Sequence, residues 1–197
     1  MKAFVGLSAV VVLLSPLAAT MARAQMPDPR IAQAVSPIPE DLRAAATVFT
    51  YDPATGERKT LRQGTNAIEC QPEGADGFTW CYNKVGAPRR DLQAKLRAQK
   101  KSDKEIADAV AEATKAGTIK PTPFGTMSYR ASKDAGRITL LWVMSVPMAT
   151  PESIGVSTVS QRDAALKGAG LPWLMAPGTA GAHVMIPINP GTGGPTK

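Results

Sequence analysis

Apolar and polar positions alternate in short runs along most of this chain, and between about residues 89 and 117 the period lengthens to that of a helix. Thr47-Val48-Phe49-Thr50-Tyr51 has the β-branched and aromatic chemistry of a strand. The turn residues Asp52-Pro53-Ala54-Thr55-Gly56 follow, and residues 58–62 return as the second arm of a hairpin. A further turn at Gly64-Thr65-Asn66 leads into Ile68-Glu69-Cys70. Phe78, Trp80 and Tyr82 then alternate with Thr79 and Cys81, which on a strand sets the three aromatics on one face and Cys81 on the other.

Two helices come next. The first, over about 89–100, carries only Leu92 and Leu96 as an apolar stripe among basic residues. The second opens at Ser102, where Ser102-Asp103-Lys104-Glu105 forms a capping box, and lines Ile106, Ala109, Val110 and Ala113 along one face. Gly117 suits its left-handed close. After Pro121 and Pro123, strands are expected at 127–130 and 137–144, the latter apolar enough for burial on both faces. A short helix over 161–167 and an alternating strand over 182–188 complete the pattern. The sum predicts an α+β domain, a small antiparallel sheet with a helical hairpin packed on one side.

The two ends read differently. Lys2, an apolar run from Ala3 to Leu14 and Ala22-Arg23-Ala24 form a basic start, an apolar core and a small-x-small exit. This is the pattern of a signal peptide cleaved after Ala24, and the run is too short for a membrane anchor. Residues 25–40 carry Pro27, Pro29, Pro37 and Pro39 and predict a Pro-rich leader. Residues 190–197 predict a flexible tail, which leaves one domain over 41–189.

Of 197 residues, 44% are hydrophobic, which suits a globular chain. The formal charge is +7; without the 24-residue leader and its Lys2 and Arg23, the mature chain has 173 residues and +5. That excess is modest, and with no aromatic–basic motif it does not predict nucleic-acid binding. The longest strongly apolar run after residue 25, at 138–144, is too short to span a bilayer, so a soluble periplasmic or secreted protein is expected. Cys70 and Cys81 are the only cysteines, and an even count in an exported chain predicts one disulfide.

Candidate chemistry is sparse. His183 is the one histidine, which excludes paired-histidine metal motifs, and the Gly-x-Ser-x-Gly elbow is absent. There is no phosphate loop, dinucleotide fingerprint or calcium loop. His183-Val184-Met185 projects an imidazole and a thioether from one face of a strand, and Met144 and Met148 flank Pro147. Thioether with imidazole suits Cu(I), so His183, Met185 and Met144 or Met148 form a candidate copper site; core filling is the plainer role of these methionines.

The segments Leu61-Arg62-Gln63-Gly64-Thr65-Asn66, Cys70, Cys81 and Gly181-Ala182-His183-Val184-Met185-Ile186 together resemble a group of uncharacterised exported bacterial proteins. Those proteins share a Leu-Arg-x-Gly-x-Asn turn, two nearby cysteines and a final Gly-x-His-x-Met-Ile strand. The resemblance covers short blocks at the two ends of the domain, implies no activity or cofactor, and directs attention to His183 and Met185. The expectation is an exported non-enzymatic envelope module that binds an unidentified protein or small ligand, with Phe78, Trp80 and Tyr82 as its candidate patch. A Cu(I)-binding protein and a hydrolase with His183 as base are the alternatives.

Overall fold

The computed structural model describes residues 28–188. The expected signal peptide at 1–24 and the tail at 190–197 lie outside the described residues. Two short helices, α1 (Pro29–Ala34) and α2 (Glu40–Arg43), precede the hairpin β1 (Thr47–Tyr51) and β2 (Arg58–Arg62). Strands β3 (Ile68–Gln71) and β4 (Thr79–Asn83) follow, then the helical hairpin α3 (Ala87–Ala98) and α4 (Asp103–Lys115). The second half runs through β5 (Met127–Ala131), β6 (Leu140–Ser145), α5 (Pro151–Ile154), α6 (Arg162–Leu166), β7 (Trp173–Met175) and β8 (His183–Pro187).

An α+β architecture is present, but the small antiparallel sheet is corrected to a mixed sheet of eight strands, in the order β2-β1-β3-β4-β5-β6-β8-β7. Every neighbouring pair is antiparallel except β1 and β3. That exception comes from the short connection after β2, which crosses the start of β1 and sets β3 down on its far side. The crossing requires Gly64, because a Cβ there would lie 2.3–2.4 Å from the backbone of Ala45 and Ala46. The amides of Thr65 and Asn66 both donate to the Ala45 carbonyl. Arg62 donates to the carbonyls of Arg43 and Ala46, and the Asn66 side chain donates to Leu42 and accepts from Ile68. The Leu-Arg-x-Gly-x-Asn block is thus a strap that fastens the crossover to residues 42–47.

One face of the sheet carries Val48, Cys70, Cys81, Tyr129 and the half-buried Trp142. The segment expected as a Pro-rich leader covers it. Asp28 caps α1 by accepting from the Arg30 amide, Pro29 sits where a helix needs no amide hydrogen, and Ala34, Val35, Pro37 and Ile38 are buried. The Trp142 indole donates to the Pro37 carbonyl at 3.0 Å. The prolines that deny this segment a strand leave its apolar side chains free to fill the core.

The opposite face carries Phe49, Tyr51, Trp80 and Tyr82 and receives α3. Gly56, at φ +72°, brings the β1–β2 turn against the α3 backbone, where a Cβ would lie about 2.5 Å from Lys95 Cα. The capping box of α4 is complete: Ser102 accepts from the Glu105 amide, and Glu105 accepts from the Ser102 amide at 2.8 Å. Ile106 and Val110 are the buried residues of α4. The strand expected at 137–144 begins only at Leu140, and Leu141 alone is fully buried along it. A cleft lies over this part of the face in place of a packed helix.

Cys70 and Cys81 form the expected disulfide, joining directly paired residues of β3 and β4 on the face away from Trp80 and Tyr82. The double substitution to alanine is expected to lower stability by about 2–3 kcal/mol, as closing an 11-residue separation predicts. Urea unfolding of the reduced, alkylated and double-alanine chains against the oxidised one measures it.

Candidate functional site

The aromatic face is a ladder of rings and arginines. Trp80 stacks on Tyr82 with centroids 5.5 Å apart and planes 8° from parallel, and Phe78 continues the row 5.5 Å from Trp80. Each ring is matched by a guanidinium. Arg90 lies 4.2 Å from the Tyr82 centroid and Arg137 4.2 Å from that of Phe78. Arg130 lies 5.2 Å from Phe78 and 5.6 Å from Trp80. The three expected patch residues therefore do come together. They are half-buried under cations and do not form an open apolar patch.

The arginines at the two ends of this ladder differ. At the β1–β3 end, Arg58 makes a two-pronged bond to Glu69 at 2.9 and 2.8 Å, and Arg90 reaches the same carboxylate at 2.8 Å. Asp91 accepts from Arg58 Nε at 2.8 Å and from the Tyr51 hydroxyl at 2.6 Å. Burial and the Asp91 hydrogen bond push the Tyr51 hydroxyl up to about 12. This end is a neutralised network whose job is to hold α3 on the sheet.

At the β5–β6 end the charge is not neutralised. A cleft of about 580 Å³ opens beside Phe78, lined by Arg130, Arg137 and Arg162 together with Trp173, Met175 and Met185. Among the described residues no Asp or Glu lines it. Arg137 has Asp134 at 3.3 Å and Arg162 donates to the Gly136 carbonyl at 3.1 Å. Among the described residues Arg130 has no carboxylate partner, only its two rings. Burial lowers its affinity for the proton, and the Arg137 charge adds to that; a guanidinium remains charged all the same.

Compared with protein-family models, curated proteins and solved structures, the chain matches none. The site rests on its own geometry.

His183 stands at the start of β8 with its Nδ1 2.8 Å from the Gly181 carbonyl. Met185 shares its face, and Met185 is buried beside Leu141 and Trp173. Met144 is paired with Val184, so it lies on the opposite face, packed against the Val146 and Leu174 cluster. Met148 is 63% exposed at φ +64° in the loop after β6. The register thus separates Met144 from the His183–Met185 face. Ser145 is directly opposite His183 on β6, yet among the described residues no hydroxyl or carboxylate is bonded to the ring. Arg130, Arg137 and Arg162 escaped sequence reasoning because 32 residues and two turns separate the first from the last. The one available signal was Arg130, a charged residue inside the strand pattern at 127–130.

Proposed function

We propose that this protein is an exported, non-enzymatic module that binds an anionic ligand with an apolar body in the cleft beside Arg130. The observation that carries this reading is the half-buried Arg130 guanidinium, 5.2 and 5.6 Å from the Phe78 and Trp80 ring centroids, with the Arg137 charge nearby and, among the described residues, no acid of its own. A cation withdrawn from water without a partner is costly, and a ligand anion would relieve that cost. Trp173, Met175 and Met185 offer the apolar wall against which the rest of the ligand would lie. The volume falls within the usual range for small-molecule sites. The extracytoplasmic address is supported by the pattern at residues 1–24 and by the disulfide, a bond that persists in oxidising compartments. No helix among the described residues is long and apolar enough to cross a membrane.

The test uses anilinonaphthalene sulfonate, an aromatic anion, and phenylnaphthylamine, its uncharged counterpart. Fluorescence titration is expected to show the sulfonate bound more tightly than the amine. Arg130→Gln should weaken the sulfonate about tenfold, the scale of one charge-assisted hydrogen bond, and leave the amine unchanged. Equal binding of the two probes, or a variant that binds the sulfonate as the parent does, overturns the reading.

A further inference from the structure

The pairing of β7 with β8 makes a constellation that the sequence does not display. Met175 is directly opposite His183, and Trp173 is directly opposite Met185. Directly opposed residues of an antiparallel pair point to the same side with Cβ atoms about 4.5–5.5 Å apart, and diagonal neighbours lie within reach of long side chains. His183, Met175 and Met185 therefore share one face of adjacent strands, which brings one imidazole and two thioethers to the same end of the ladder. We infer that this end of the β7–β8 ladder is a Cu(I) site with the His183 imidazole and the Met175 and Met185 sulfurs as its ligands.

Two further observations point the same way. The Nδ1 of His183 faces the Gly181 carbonyl, which fixes the proton on Nδ1 and leaves the Nε2 lone pair for a metal. That is the outer contact metal-binding histidines ordinarily keep. Met175 is 42% exposed and His183 is partly exposed, so an ion has a path in, while Met185 closes the inner side at 8% exposure. The donor set at β7–β8 is nitrogen and thioether only, which selects a soft monovalent ion over zinc, magnesium or calcium. The third ligand differs from that expected from sequence spacing: Met175, ten positions upstream of Met185, takes the place of Met144 and Met148.

This inference does not rest on the anion reading: Met175 and Met185 also line the cleft, but Arg130 is no part of the metal site and His183 does not line the cleft. The experiment is an anaerobic Cu(I) titration of the full disulfide-bonded chain against a chromophoric chelator, with the ring-proton signals of the single histidine followed by NMR. One Cu(I) per chain and a shift of both ring signals are expected. His183→Ala and Met175→Leu should each weaken binding at least about tenfold, whereas Met144→Leu and Met148→Leu should leave it unchanged. Met175 is exposed, so its leucine variant folds, and circular dichroism checks this. Failure of the parent chain to compete with the chelator, parental affinity in Met175→Leu, or a loss confined to Met144→Leu overturns the site. Parental Cu(I) affinity in Arg130→Gln, and parental sulfonate binding in His183→Ala, whose side chain does not line the cleft, separate the two readings.

Discussion

Replacing Glu69 with glutamine is expected to lower the unfolding free energy by about 3 kcal/mol at pH 7. Glu69 is the acid on which Arg58 and Arg90 both converge, and its side chain is only 13% exposed. Removing its charge leaves two guanidiniums side by side in a half-buried site, where Arg90 Nε already has no hydrogen-bond partner. Arg58 keeps a quarter of its side chain in water, which holds the loss to the low end of the range for buried pairs. Burial by itself would raise the Glu69 carboxyl. The Arg58 hydrogen bonds and charge, joined by those of Arg90, outweigh it and hold the group below the usual carboxylate range.

The sign of the pH dependence follows. A carboxyl depressed in the folded state contributes fully above its unfolded value of about 4.3, and the contribution is lost as pH falls through the folded value. Parent and Glu69→Gln should therefore differ most near neutrality and converge at acid pH below that window. Urea unfolding of both at a series of pH values measures it. A constant difference across the acid range would show that the carboxylate charge is not what the two arginines need.

The second large effect lies in the segment that reads as a leader. Ile38→Ala is expected to cost about 2–5 kcal/mol, because Ile38 is 1% exposed and sits in the cluster with Val48, Cys70 and Cys81. The surrounding structure has little room to close the cavity: the Arg43 guanidinium bonds the Ile38 carbonyl, and the Trp142 indole holds Pro37 next to it. Val85→Ala, at a residue 40% exposed, should change stability by no more than about 0.5 kcal/mol and serves as the control. Equal urea midpoints for the two variants would mean that residues 28–43 are a tether laid on the domain and not part of its core.

These cases show which features were legible in the sequence. Local chemistry is written locally: the Asp52–Gly56 turn, the capping box at Ser102 and Glu105, and the aromatic alternation at 78–82 each depend on neighbours within a few residues, and each appears in the structure where the pattern sets it. The proline-bearing segment misled because proline reports only on backbone hydrogen bonding. It excludes a ladder or a continuous helix, but it does not exclude burial, and Pro37 is among the most buried residues of the fold. Short Trp173–Met175 gave no periodic signal, since three residues are too few for alternation to stand out.

The candidate sites divide along the same line. By itself the sequence determined that His183 and Met185 share one face of their strand and that Phe78, Trp80 and Tyr82 share one face of theirs, because period-two geometry is a property of one strand. Tertiary structure alone decided what stands opposite them. Register set Met175 against His183 and turned Met144 away, since a pairing partner is chosen by the whole sheet and a shift of one residue reverses every side chain. Chain crossing set β3 parallel to β1, and packing gave Arg58 and Arg90 an acid while leaving Arg130, among the described residues, with only aromatic rings. Three arginines that look alike in the sequence differ in their surroundings for that reason, because the partner of a charge is a long-range contact and is not encoded in its neighbours.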